Sequence, residues 1–185
     1  MTDTEFRIGK ARICLVHGDI TDMDTDVIVN AANSSLMGGG GVDGAIHRKG
    51  GPKILEECKQ IRTTEWPDGL PTGKSVITTG GNLKTRHVIH TVGPIWHGGN
   101  RGEPNFLVNA YHNSLQLAVS KGLKTMAFPS ISTGVYRYPI EKASRITLKT
   151  VKEFLEKEDK LDEVIFVLFT KDDLEIYKNA AKEIL

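Results

Sequence analysis

The stretch Asn30-Ala-Ala-Asn33-Ser-Ser-Leu-Met-Gly38-Gly-Gly-Gly41-Val-Asp43-Gly44 decides how the rest of the chain is read. An apolar run, Val27-Ile-Val29, precedes it, and a helix-like segment, Ala45-Ile-His-Arg48, follows. Two asparagines, four consecutive glycines and one aspartate therefore stand between a strand and a helix. Glycines in a row cost backbone entropy, so a fold keeps them where a side chain would block what the backbone does. Such a run suits bringing main-chain N–H groups against a ligand. Sites of open α/β sheets lie where strands end and helices begin, and this stretch has that position.

The chain has 185 residues, within the range of one domain and enough to bury a core without staples. Apolar (39%) and charged (25%) contents are ordinary for a globular protein, and many of the 19 glycines fall in loops assigned to the site. A net charge of +1 gives no support for a polyanion-binding surface. Two isolated cysteines, Cys14 and Cys58, make neither a disulfide framework nor a zinc site. The N-terminus, Met1-Thr-Asp-Thr-Glu5, is polar and acidic without a signal-peptide pattern, and no apolar run reaches the roughly 18 residues of a membrane span. The expectation is a cytoplasmic, monomeric protein with a single domain over residues 1–185 and no membrane partner.

Outward from the opening stretch, Phe6 to His17 reads as two short strands around Gly9-Lys10, the apolar run Ile13-Cys-Leu-Val16 being a central strand. Pro52 to Ile61 is a helix with Pro in its first turn, and Thr63 to Pro71 a loop. Lys74 to Thr79 and His87 to Val92 are strands. Asn105 to Lys121 is a helix with the apolar stripe Phe106, Ala110, Leu117. Thr125 to Ile131 is a strand, Pro139 to Glu158 a long helix, Val164 to Phe169 the last strand and Asp172 to Leu185 the last helix. Strands that are near-solid apolar runs, alternating with helices, predict a mixed, mostly parallel sheet covered on both faces. The charged run Glu153 to Glu163 reads as solvated surface.

Three loops follow apolar strands: Gly18 to Thr21, Asn30 to Gly44 and Ser130 to Tyr136. In a parallel sheet they converge on one edge, and two are rich in Gly and small hydroxyl residues that form nests of N–H groups around phosphate. Two facing cradles suggest a diphosphate; each alone is equally an ordinary strand–helix turn. Gly39-x-Gly41-x-x-Gly44 formally matches a dinucleotide fingerprint, but eight residues, Asn30 to Met37, separate it from the strand. Gly69 to Ser75 is one residue short of a P-loop and follows a loop rather than a strand. No metal-ligand spacing is present, and no cofactor is expected. Asp19 is either a turn carboxylate or an acceptor for an exocyclic amine such as that of adenine. Asp43 is either a first-turn carboxylate favoured by the helix dipole or the group that positions water beside a bound sugar. Asn30 and Asn33 are turn formers or partners of ribose hydroxyls. His47, one helical turn after Asp43, is placed to support it, whereas His90 reads as structural. Trp66 and Trp96 read as packing. Phe169 is a core residue or a stacking platform for a base.

Asn30-Ala-Ala-Asn33 with Gly38-Gly-Gly-Gly-Val-Asp-Gly-Ala-Ile-His47, preceded by Gly18-Asp19-Ile20 and followed by Pro129-Ser-Ile-Ser-Thr-Gly-Val-Tyr136, resembles a macrodomain. Val88-Ile-His-Thr-Val-Gly-Pro94 matches the same family, and the resemblance spans about Ile13 to Tyr177. The aspartate after the glycines, with Leu70-Pro-Thr-Gly73 and His90-Thr-Val-Gly-Pro-Ile-Trp96, is similar to the MacroD-type subclass. The resemblance implies a three-layer α/β/α macrodomain fold that binds ADP-ribose. For this subclass it implies hydrolysis of ADP-ribosyl esters on acidic side chains and deacetylation of O-acetyl-ADP-ribose. Partners would then be ADP-ribose and mono-ADP-ribosylated proteins, with nucleic acid only if it is ADP-ribosylated. It implies that Asp19 binds the adenine amine with Ile20 beside it, and that Phe169 stacks on the base. Backbone amides of Gly40, Gly41 and Val42 and of Ser132, Thr133, Gly134, Val135 and Tyr136 would hold the diphosphate. Asn33 would fix the distal ribose, Tyr136 would cover it, and Asp43 would orient or deprotonate the attacking water, the base being either Asp43 or a phosphate of the substrate. Two positions depart from the pattern: Arg137 stands where relatives have a second Gly, and Lys49-Gly50 replaces Ala-Ala.

The expected function is therefore a mono-ADP-ribosyl hydrolase. The competing readings are a reader module that binds ADP-ribose without turnover and a phosphatase acting on ADP-ribose phosphorylated on its distal ribose.

Overall fold

The apolar runs become strands, and residues between them become helices, over residues 4–185, which the computed structural model describes; Met1 to Asp3 of the polar N-terminal stretch lie outside the described residues. The order is β1 (Thr4–Ile8), β2 (Ala11–His17), a single 3-10 turn (Ile20–Asp22), β3 (Val27–Ala32), α1 (Gly41–Gly50), α2 (Pro52–Thr64), β4 (Ser75–Thr79) and β5 (His87–Val92). There follow α3 (Glu103–Ser120), β6 (Thr125–Phe128), α4 (Ile140–Lys157), β7 (Glu163–Leu168) and α5 (Lys171–Ile184). The sheet runs β1-β2-β7-β6-β3-β5-β4. Its five inner strands are parallel, and β1 and β4 pair antiparallel at the edges. β2 is thus interior but next to the edge. Among the described residues no helix is long and apolar enough to cross a membrane.

Alternation along the strands splits the core in two. Ile13 and Leu15 of β2 join Leu107 and Tyr111 of α3, Leu148 and Val151 of α4 and Tyr177 of α5 on one face. Val16 joins Ile46 of α1 and Ile54 and Cys58 of α2 on the other. The two neighbouring strands β6 and β3 feed helices to opposite faces, β6 to α4 and β3 to α1. The connecting loops must part there and leave a crevice at the carboxyl ends of the strands.

Four expectations need correcting. α3 begins at Glu103 rather than Asn105, because Pro104 fits a first helical turn whose N–H groups are unpaired anyway. Its buried stripe is Leu107, Ala110, Tyr111, Ser114, Leu115 and Ala118; Phe106 is 38% exposed. Adjacent Phe106 and Leu107 leave the helical phase open in sequence, and packing selects Leu107. β6 stops at Phe128 rather than Ile131, since Pro129 has no N–H to donate to a ladder. α2 continues through Thr64, with Thr63 and Thr64 hydroxyls donating to the carbonyls of Lys59 and Gln60.

Candidate functional site

The parallel order sets the loops side by side along one edge. The loop after β2 touches the end of β7, where Gly18 N–H donates to Leu168 O at 3.0 Å. Next along the edge comes the loop after β6, then the loop after β3, then the loop after β5.

The wall built by β3 and α1 carries buried side-chain chemistry. Asn30 is a strand residue rather than a turn former, and it faces the side of Ile28 and Ala32, under α1. It is fully buried. In register it stands opposite His90 of β5, which stands opposite Val76 of β4. The two Asn30 Nδ2 protons reach Asp43 Oδ1 at 2.8 Å and His90 Nδ1 at 3.1 Å. His90 Nδ1 is then an acceptor, Nε2–H donates to Thr78 Oγ1 at 2.9 Å, and Thr78 donates to Thr79 O. Burial, helped by nearby His47 and opposed by Asp43, brings the His90 pKa down to about 3, so this imidazole is neutral. Asn30 thereby holds Asp43 through its Nδ2, while its Oδ1 is buried with no hydrogen-bond partner among the described residues.

Asp43 lies in the first turn of α1, where the helix N-terminus favours a carboxylate, and is 5% exposed. His47 Nε2 is 3.4 Å from Asp43 Oδ1 without hydrogen-bond alignment. Asp43 Oδ2 forms no hydrogen bond among the described residues and faces Gly39. A Cβ on Gly39 would come within 3.1 Å of that oxygen and 3.2 Å of Asn33 Nδ2. Asn33 donates to Gly38 O at 3.0 Å and accepts from Ser35 N–H at 3.1 Å, which fixes its amide at the crevice. The glycines divide the work. Gly44 must lack a side chain, since a Cβ would meet Gly39 O at 2.5 Å, whereas Gly40 and Gly41 face open space. Gly40 caps α1 with no side chain, leaving the N–H groups of Gly41 and Val42 unpaired in a site suited to anions.

The opposite wall, after β6, is backbone. The N–H groups of Ser132, Thr133, Gly134, Val135 and Tyr136 donate to none of the described residues, whereas those of Arg137 and Tyr138 turn back to Gly134 O and Ser132 O. Two buried phenols hold the loop from below. Tyr111 donates to Pro129 O and accepts from Ile131 N–H, and Tyr177 OH lies 2.9 Å from Ser130 Oγ. Burial pushes both phenol pKa values up and keeps these groups neutral. Ser132 has φ 68° and Arg137 φ 60°, both in the region favoured by glycine. Val135 is almost fully exposed. Tyr136 O accepts from Trp96 N–H at 2.8 Å, which ties the loop after β5 to this wall.

At the far end Asp19 caps the 3-10 turn, accepting from Thr21 N–H at 2.9 Å and Thr21 Oγ1 at 2.7 Å through Oδ1 alone. The Thr21 hydroxyl, against the opposing effect of burial, holds its pKa below the usual carboxylate value. Its second oxygen is left for a donor. The Ile20 side chain is buried in the core. Phe169 sits just past β7 and is 79% exposed, an aromatic face with no ring partner among the described residues.

Several supporting residues escaped the sequence. Arg62 donates to the carbonyls of Ser35, Trp66 and Pro67, clamping the loop that precedes the glycines. Buried Glu103 accepts the N–H groups of His97, Gly99 and Arg101. Burial pushes its carboxyl up, but these donors and its own N–H outweigh that and bring it down to about 2. His47, Cys58 and His90 bring one ligand atom each within 4.8 Å of one another, a trio with no spacing motif to announce it. Both His90 nitrogens are already hydrogen-bonded, and burial pushes the Cys58 thiol up to about 12, so the trio reads as packing beneath Asp43 rather than a ligand set.

Residues 29–147 match the Macro domain family model. A macro domain-containing protein of Caldanaerobacter subterraneus subsp. tengcongensis is 56% identical over 95% of this chain and 98% of its own. An O-acetyl-ADP-ribose deacetylase of Enterobacter cloacae is 53% identical over 91% of this chain and 93% of its own. The Oceanobacillus iheyensis macrodomain, solved with ADP, superposes with a TM-score of 0.95 at 46% identity, covering 97% of this chain and 95% of that one. A mutant of the same macrodomain has been solved with ADPR. With the mixed sheet, the parted loops and these matches in hand, the chain belongs to the macrodomain family.

Proposed function

We propose that the crevice binds ADP-ribose and that the chain is a hydrolase, removing mono-ADP-ribose from acidic side chains of proteins and the acetyl group from O-acetyl-ADP-ribose. The names of the Enterobacter cloacae relative and of the Oceanobacillus iheyensis structures support this reading. So does the order of groups along the edge. Adenine would lie between Asp19 and Phe169 with Ile20 N–H beside it. The diphosphate would take the N–H groups of Ser132 to Tyr136 and of Gly40 to Val42. The distal ribose would lie against Asn33 and Gly39 under Tyr136.

The observation that carries hydrolysis is the Asp43 carboxylate, with Oδ1 bound by Asn30 and Oδ2 unpaired beside Gly39 and Asn33. With ADP-ribose esterified to a protein carboxyl, a water bound at Oδ2 gives its proton to the carboxylate as its oxygen attacks the anomeric carbon. The bond to the substrate's carboxylate breaks, and that group leaves with the electron pair. A carboxylate leaving group needs little acid assistance, which suits a crevice without an obvious general acid. The test incubates wild type and Asp43→Ala with an automodified mono-ADP-ribosylated protein and with O-acetyl-ADP-ribose. Wild type is expected to release ADP-ribose, and the variant to be about 10²- to 10⁴-fold slower. Tight ADP-ribose binding without release would make the chain a reader. Phosphate release from ADP-ribose phosphorylated on its distal ribose would make it a phosphatase.

A further inference from the structure

A pocket of about 400 Å³ opens beside the backbone wall, lined by Trp96, Gly98, Pro104, Tyr138, Lys142 and Arg145. It shares its frame with the ligand crevice. Trp96 N–H donates to Tyr136 O at 2.8 Å, and Tyr138 N–H donates to Ser132 O at 2.9 Å. These two bonds set the pocket beside the loop that carries Tyr136.

The pocket has one sign of charge. No carboxylate lines it, and Glu103 nearby is occupied by three backbone N–H groups. Lys142 is exposed and makes no ion pair among the described residues; Arg145 is the partner of Glu183 at the outer rim. Arg137, between the crevice loop and Tyr138, is exposed and also makes no ion pair among the described residues. It holds φ 60°, a conformation a glycine would take without strain, so the fold itself gains nothing from an arginine there. By contrast, the larger cavity, about 530 Å³ between α3 and α4, mixes signs, with Lys149 facing Glu153.

The floor selects among acidic occupants. Trp96 packs against Tyr138 with ring centroids 4.6 Å apart, and a Cβ on Gly99 would come within 2.9 Å of the Trp96 ring. The half-buried indole thus has one face taken by Tyr138 and its edge crowded by Gly99, which leaves less room for a stacked base than for an extended chain. An apolar floor with a cationic rim suits extended polypeptide bearing carboxylates.

We infer that this pocket docks acidic residues flanking the ADP-ribosylated side chain of a protein substrate. The inference rests on protein-linked ADP-ribose being what the crevice receives. The experiment measures affinity for two peptides that carry ADP-ribose through a linkage the protein cannot cleave, one flanked by glutamates and one by lysines. Free ADP-ribose serves as control, with the full chain as wild type and as Lys142→Glu, an exposed helix position. Wild type should bind the glutamate-flanked peptide about fivefold more tightly than the lysine-flanked one, the scale of exposed ion pairs, and lose the difference at high salt. Lys142→Glu should abolish or invert the preference while free ADP-ribose binds as before. Equal affinities in wild type, or a preference that survives Lys142→Glu, would overturn the inference. So would tighter binding of an ADP-ribosylated oligonucleotide that Lys142→Glu removes. Because nothing is cleaved, failure of hydrolysis is read separately and does not touch this result.

Discussion

The two walls of the crevice solve different problems. The β3–α1 wall works through buried side chains linked strand to strand, from Thr78 through His90 and Asn30 to Asp43. The wall after β6 presents five N–H groups unpaired among the described residues and keeps side chains outside, as with Val135 and Arg137, or beneath, as with Ser130 on Tyr177. Backbone donors hold an anion whatever the loop sequence. A carboxylate that must act on one water needs fixed neighbours. Reaction should therefore be sensitive to the first wall and affinity to the second.

Replacing Asp43 by Ala tests that division most severely. It should lower kcat by about 10²- to 10⁴-fold while calorimetry finds ADP-ribose affinity changed by only a few-fold. A comparable loss of affinity would erase the distinction between the walls. Asn30→Ala comes next. It frees Asp43 Oδ1 and leaves His90 Nδ1 without its donor, so chemical denaturation should show a loss of about 1–3 kcal/mol, with kcat reduced at nearly constant affinity.

A pH series probes the same buried wall. His90 titrates near 6.5 when unfolded and at about 3 when folded, so the unfolded chain binds more protons between those values. Stability is complete above about pH 6.5 and falls as pH drops toward 3, by on the order of 1 kcal/mol per unit. Glu103 and Asp19, with lowered pKa values, contribute only below their ordinary carboxylate range, so the difference in melting between wild type and His90→Gln from about pH 6.5 to 5 reports the histidine. A flat profile there would mean that His90 is not held neutral.

On the second wall, Tyr177→Phe removes the phenol under Ser130. It should cost about 1 kcal/mol of stability and raise KM a few-fold with kcat nearly unchanged. Smallest of all, Arg137→Gly should raise stability by at most about 1 kcal/mol through relief of its φ, leaving free ADP-ribose affinity unaltered. A drop in kcat from either variant would show that the backbone wall takes part in the chemistry.

Much of this architecture is legible in the sequence because solid apolar runs and glycine loops are local signals. Val27 to Val29 and the glycines after them announce a buried strand entering a ligand loop. The role of Asn30 is not local: it depends on a register that sets it beside His90, 60 residues away. The same is true of Thr78 and of the phenols under the Ser130 loop, which reach it from α3 and α5. Phe106 misled for the opposite reason, since two adjacent apolar residues leave a helix two phases that only packing separates.

The sheet also acts as a ruler. Asp19 follows β2, and Asn33 follows β3, with β7 and β6 between them. Three interstrand steps of about 4.8 Å set these ends roughly 14 Å apart, and no loop movement alters that span without breaking a ladder. A ligand anchored at the aromatic end reaches the carboxylate only if a second sugar lies beyond its two phosphates. On the proposed binding mode, a mononucleotide held by Asp19 and Phe169 would stop at the β6 loop. Selection by length is thus written into hydrogen-bonded strand spacing, the part of the fold least open to drift.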